Sequence, residues 1–254
     1  MRTYVVTGAA GGIGSATAEH LAKGGDRVIR CDVRDADVIA DLTTPAGRDQ
    51  LVSEVTAASG GRINGLIAVA GLAAPSDLTV RLNFFGTIAT LEGLRPLLRR
   101  ADRPRAMAVS SLGAIVAADE SIVEACLSMD EEAAAASVAA PVRAGRGHVV
   151  YPSSKLALNR WLRRAAVGPA WAGAGIPLNA VAPGVVDTET ARKVFLDDPR
   201  TREITAAAMP QPLGFPGPVD AIASLLAWTV SEENAFMAGQ IIYADGGAEA
   251  VLRP

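Results

Sequence analysis

The chain has 254 residues, half of them hydrophobic and 20% charged, with a net charge of -3. That balance supports a sizeable core, argues against disorder and provides no basic footprint for nucleic acid. Two cysteines, Cys31 and Cys126, and two histidines, His20 and His148, form neither a disulfide framework nor a metal-ligand pattern, so no metal is expected.

Strand-like Tyr4–Thr7 opens the chain, leaving no room for a signal peptide before it, and no apolar run reaches the ~18 residues of a bilayer span. A cytoplasmic protein without membrane or nucleic-acid partners is the expectation. A glycine-rich turn leads into a helical stretch over Gly12–Lys23, which ends at Gly24-Gly25. Arg27–Asp32 reads as the second strand, Val38–Ala40 as a short third and Gly65–Ala70 as a strand covered on both faces. A long helix is predicted from Asp77 to Arg100, then a strand over Ala106–Ser110. Further on come a helix from Pro152 to about Trp171, a strand at Pro177–Ala182, a helix near Val219–Val230 and a strand at Gln240–Ala244.

Length alone allows one domain or two, but repeated β-α-β units without a dividing linker predict a single α/β domain over 1–254. Its fold class is Rossmann-type: a doubly wound, mostly parallel sheet with helices on both faces. Two segments interrupt the alternation. Residues 112–150, alanine-rich and partly acidic, are read as an insert carrying one or two helices. Residues 188–213, with Pro199, Pro210 and Pro212, are read as a substrate lid.

Gly8-Ala9-Ala10-Gly11-Gly12-Ile13-Gly14 joins the first strand to the first helix, where backbone N–H groups can approach a phosphate without a Cβ in the way. Asp32 closes the second strand. Together they match the context of a dinucleotide-binding fingerprint. The Asp32 carboxylate suits the ribose hydroxyls of NAD; a 2′-phosphate ~5 Å away would meet roughly 3 kcal/mol of repulsion per unit charge at an effective dielectric near 20. NAD is therefore favoured over NADP, although Arg30 and Arg34 flank the carboxylate.

Tyr151 and Lys155 lie four residues apart, on one helical face. A tyrosine acting as a base near neutral pH needs its anion stabilised by about 3–4 kcal/mol, which a nearby ammonium and a cationic nicotinamide can provide. Ser110-Ser111 closes a strand, and Asn83 sits within the long predicted helix.

The pattern Thr7-Gly8-(x)3-Gly12-Ile13-Gly14, Asp41-Leu42, Asn83, Ser111, Tyr151/Lys155, Pro183-Gly184-(x)3-Thr188 and Asp245-Gly246-Gly247 resembles the short-chain dehydrogenase/reductase family across essentially the whole chain. The resemblance implies that Tyr151 is the general acid/base and that Lys155 lowers its pKa while holding the nicotinamide ribose. Ser111, in preference to Ser110, would bind the substrate oxygen, and Asn83 would hold a relay water. Asp41 and Leu42 would lie by the adenine, Val186 and Thr188 by the carboxamide, and Ala70 and Gly71 along the cofactor. One departure is Ala68-Val69-Ala70-Gly71, where many members have Asn-Asn-Ala-Gly; side-chain braces are lost there.

The long Ser111-to-Tyr151 separation, with the Asp32–Leu42 stretch and the C-terminal tail, resembles the bacterial 3α-hydroxysteroid dehydrogenase/carbonyl reductase subgroup. Coniferyl-alcohol dehydrogenases share the general pattern. A hydrophobic secondary alcohol or ketone is the expected substrate, with Val194, Phe195, Leu196 and Met209 as apolar lid residues. An aryl-alcohol dehydrogenase, a 3-oxoacyl reductase and a catalytically silent NAD sensor are the alternatives. A homo-oligomer is expected, a dimer in preference to a tetramer, because the insert adjoins a helix through which family members usually pair.

Overall fold

The computed structural model describes residues 1–254. Seven strands, β1 (Thr3–Thr7), β2 (Arg27–Asp32), β3 (Val38–Ile39), β4 (Gly65–Ala68), β5 (Arg105–Val109), β6 (Leu178–Pro183) and β7 (Ile241–Ala244), form one sheet in the order β3-β2-β1-β4-β5-β6-β7. Every pairing is parallel, so the sheet is wholly rather than mostly parallel.

Side-chain alternation splits the core into two layers. Val5, Ile29, Leu66 and Leu178 point to a large cluster shared with α2 (Pro45–Ser59), α4 (Thr87–Leu98) and α8 (Val150–Ala166). Tyr4, Val6, Ile67 and Val181 point to a smaller one shared with α1 (Gly12–Lys23) and α11 (Val219–Thr229). The chain winds outward from β1 in one direction and from β4 in the other. A crevice therefore opens at the carboxyl ends of these two strands, where a doubly wound sheet places its ligand.

Helix α2 escaped the sequence reading although its signals are local: Thr44 accepts from the Gly47 N–H, Pro45 starts the helix and Gly60 ends it at φ 65°. The long helix expected over Asp77–Arg100 is present and runs to Leu98, continuous through α3 (Asp77–Val80), a π-helical turn (Arg81–Gly86) and α4. Helix α8 stops at Ala166, short of Trp171. The insert holds three helices rather than one or two: α5 (Glu120–Leu127), α6 (Glu131–Ser137) and α7 (Ala139–Arg143). Asp119 and Asp130 cap the first two by accepting from Ser121 and Ala133 amides. The lid contains a short α9 (Glu189–Ala191), a π-helical turn (Arg192–Leu196) and α10 (Pro199–Ala208); α12 (Ala248–Leu252) closes the chain. No helix is long and apolar enough to cross a membrane.

Strand β4 lacks the asparagine braces, and its exit is held from β1 instead. The Thr7 hydroxyl accepts from the Val69 and Ala70 amides at 3.1 and 3.2 Å. These bonds use backbone donors, so they survive the loss of the side chains.

Candidate active site

A cavity of about 1120 Å³ occupies the crevice. It exceeds the ~300–1,000 Å³ of a site for one drug-sized ligand, which leaves room for a dinucleotide and a substrate together. Among the residues singled out by sequence, Gly8, Gly12, Ile13, Gly14, Asp32, Asp41, Leu42, Ala70, Gly71, Ser111, Tyr151, Lys155, Val186 and Thr188 all line it. Asn83 does not.

The glycines are needed for two separate reasons. Gly8 has φ +66°, and a Cβ there would lie 2.9 Å from the Ala70 backbone; a Cβ on Gly14 would strike the Gly8 carbonyl. The turn thus packs closely against the strand ends, and Gly11, Gly12, Ile13 and Gly14, at the start of α1, line the open cavity. That cradle fits a pyrophosphate. Asp32 sits beside it, and its carboxylate accepts from the Ala10 amide (2.9 Å) and from the Val33 amide (2.7 Å). Of the two flanking arginines, Arg30 turns inward to donate to the Ala9 carbonyl at 2.6 Å, whereas Arg34 lines the cavity. The cradle and the carboxylate fit a dinucleotide.

At the opposite end of the cavity, β5 delivers Ser110 and Ser111 while α8 delivers Tyr151 and Lys155. The two serines separate cleanly. The Ser110 hydroxyl, on a buried residue, donates to Asn159 Oδ1 at 2.6 Å and docks α8 against β5. Ser111 is half-buried; its hydroxyl caps a short 3₁₀ turn by accepting from the Gly113 amide at 3.0 Å, and it acts on the Tyr151 phenol. Lys155 Nζ donates to the Val109 carbonyl at 2.7 Å and lies 5.9 Å from the Tyr151 ring centroid.

Burial pushes the Tyr151 phenol up, and the group that opposes this is the Ser111 hydroxyl. Desolvation is the larger influence on the phenol, and the Lys155 ammonium is turned toward the Val109 carbonyl. Burial also lowers Lys155 itself, to about 8. Burial thus favours the uncharged form of both groups.

The Asn83 side chain is fully buried in the π-helical turn, with Oδ1 accepting from Leu72 N and Nδ2 donating to Leu72 O and Ser154 Oγ. A Cβ on Gly71 would lie 3.1 Å from Asn83 Oδ1 and 3.5 Å from Lys155 Nζ. Asn83 thus braces the wall next to Lys155.

The cavity beyond Ser111 and Tyr151 is bounded by Ala73, Ala74 and Pro75 after β4, by Leu112, Val116 and Ala117, and by the lid residues Val194, Phe195 and Met209. Leu196 is buried in the fold and does not reach it. Gly147 and His148, the end of the insert, complete this wall, and a Cβ on Gly147 would press on Pro75. The sequence carried no periodicity that would have assigned these small residues to a pocket. Cys31 and Cys126 are buried thiols pushed up to about 12, so neither serves as a nucleophile.

A family model described as enoyl-(acyl carrier protein) reductase matches residues 8–249. The chain is 34% identical over 258 residues to the 3-alpha-hydroxysteroid dehydrogenase/carbonyl reductase of Comamonas testosteroni, spanning 100% of this chain and 99% of that one. It is 30% identical over 267 residues to the cis-4-hydroxycyclohexanecarboxylate dehydrogenase of Sinomonas cyclohexanicum, spanning 98% and 97%. The solved 3-alpha-hydroxysteroid dehydrogenase from Pseudomonas sp. B-0831, complexed with NADH, matches with a TM-score of 0.89 at 36% identity, over 99% of this chain and 98% of that one.

Proposed function

Because the chain belongs to the short-chain dehydrogenase/reductase family and is an oxidoreductase, we propose that it uses NAD to interconvert a hydrophobic, ring-borne secondary alcohol and its ketone. The observation that carries this reading is the convergence of Ser111, Tyr151 and Lys155 at the end of an apolar wall, in one cavity with the glycine cradle. The cofactor supplies or accepts the hydride, and the protein's task is alignment and proton transfer.

Ser111 orients the substrate oxygen toward the phenol. Tyr151, neutral at its half-buried position, gives its proton to a carbonyl oxygen as the alcohol forms, and takes one back in the reverse direction. Lys155, held by Val109, is placed to bind a ribose hydroxyl. Asp32 favours NAD because its carboxylate, fixed by two amides, repels a 2′-phosphate. The names of the two curated relatives, a hydroxysteroid and a hydroxycyclohexanecarboxylate dehydrogenase, support a hydroxyl on a saturated ring.

The test is a spectrophotometric panel at saturating NADH or NAD. Steroid-like and cyclohexanone-type ketones, or the corresponding alcohols, are expected to turn over faster than aryl alcohols and 3-oxoacyl thioesters. Turnover confined to thioesters would replace this reading with an acyl reductase. Cofactor binding without turnover of any compound would favour the silent sensor.

For the assembly we propose a dimer in the cytoplasm. Helix α5 of the insert packs along α8, with Arg160 in a bidentate pair with Glu120 at 2.6 and 2.8 Å, and so covers part of the helix face that a tetramer of this family would use. Light scattering is expected to return the mass of two chains; a mass of four would overturn it.

A further inference from the structure

Beneath the adenosine end of the cavity lies a single buried guanidinium. Arg48, on α2, donates from Nε to the Leu42 carbonyl at 2.8 Å and from Nη2 to the Thr43 and Arg81 carbonyls at 3.3 and 3.1 Å. Leu42 and Thr43 line the cavity. Arg81 begins the π-helical turn that carries Asn83, and the Gly86 end of that turn packs on Leu42: a Cβ there would lie 2.8 Å from its carbonyl. One side chain therefore ties the adenosine wall to the turn that braces Gly71.

A buried cation needs a counter-charge, since an unpaired one costs several kcal/mol. The carboxylate that meets Arg48 comes from the insert. Glu131, the first residue of α6, accepts from Nη1 at 2.6 Å and from Nη2 at 2.7 Å in a fork-to-fork pair. Its side chain is 19% exposed. The other charges nearby pair around this contact: Arg81 lies 3.4 Å from Glu131 and holds Glu132 and Asp77 at 2.9 and 3.1 Å.

We propose that Glu131 is a positioning residue for the adenosine half of the cofactor site, acting through Arg48. The middle of the insert is then part of the cofactor-binding apparatus, although it never touches the cofactor. This rests on the reading of Leu42 and Thr43 as the adenosine wall. With Glu131 neutral, Arg48 is drawn toward solvent to recover hydration, and the carbonyls it holds are released together.

The test uses the full chain carrying Glu131→Gln, which keeps the side chain's shape and removes its charge. Binding is followed by calorimetry with three probes: NADH, ADP-ribose and reduced nicotinamide mononucleotide. The dissociation constants of NADH and ADP-ribose are expected to rise about tenfold, as for loss of a coupled buried charge. That of the mononucleotide is expected to stay within twofold of the parent. If Glu131→Gln does not fold, the double variant Arg48→Met/Glu131→Met removes both charges and releases the same carbonyls, and the same split is expected. Unchanged ADP-ribose affinity, or equal losses for both halves, would overturn the proposal. Failure of the parent chain to bind NADH at all would instead overturn the underlying reading of the cavity.

Discussion

Tyr151→Phe is expected to lower kcat for ketone reduction by about 10²–10⁴-fold, the range contributed by a positioned general acid, while leaving NADH affinity within about twofold. The substitution removes one oxygen from a half-buried ring. No backbone hydrogen bond depends on that oxygen, and the group it acts with is the Ser111 hydroxyl. Helix α8 is fixed independently, through Ser110–Asn159 and Lys155–Val109, so the cavity wall keeps its place. A variant retaining more than a tenth of the parent rate would remove Tyr151 from its role.

The parent enzyme's pH profile reads the same machinery. Lys155 has its pKa lowered to about 8, so its ammonium is present below that pH and is lost as pH rises through it. Tyr151 is displaced in the opposite direction and remains neutral over the same interval. In the proposed mechanism, reduction uses the neutral phenol beside the charged ammonium. Its rate is therefore expected to be flat below about pH 8 and to fall above it.

The second large effect concerns cofactor choice. Asp32→Asn is expected to reduce the preference for NADH over NADPH, read as the ratio of the two kcat/KM values, by about 100-fold. Asparagine keeps one acceptor oxygen, which holds the Ala10 amide and with it the glycine turn; the charge is removed together with the bond to the Val33 amide. The estimate follows from roughly 3 kcal/mol of repulsion per unit charge, or about two decades. Arg34 lines the same wall and is left to attract a phosphate, whereas Arg30 is held by the Ala9 carbonyl and cannot turn outward without losing that bond. A ratio that does not move would mean that the 2′ position lies away from Asp32.

Several features were legible because their causes are local. The spans Gly12–Lys23 and Arg27–Asp32 agree with the structure to the residue, since a glycine turn, a 3.6-residue apolar stripe and a stop at Gly24-Gly25 lie within the segment itself. The Tyr151–Lys155 spacing is likewise a property of one helix. The π-helical turn at Arg81–Gly86 was not legible. It arises where Gly86 packs on Leu42, a contact between residues more than forty positions apart. The partners of the Asn83 side chain were not legible for the same reason: its amide meets Leu72 and Ser154, and the identity of such partners is absent from its own neighbourhood in the chain.

By itself the sequence determined the family of this protein and the local motifs that mark it: a glycine turn, an acidic strand end and a Tyr–Lys pair, each defined by side chains within a few residues of one another. Only the tertiary structure decided how those parts are held. It paired Ser110 with Asn159 and left Ser111 facing the cavity, raised the tyrosine while lowering the lysine, and set Glu131 of the insert against Arg48 beneath the adenosine wall. Burial and long-range pairing set hydration and charge balance, and both depend on which distant segments the fold brings into contact.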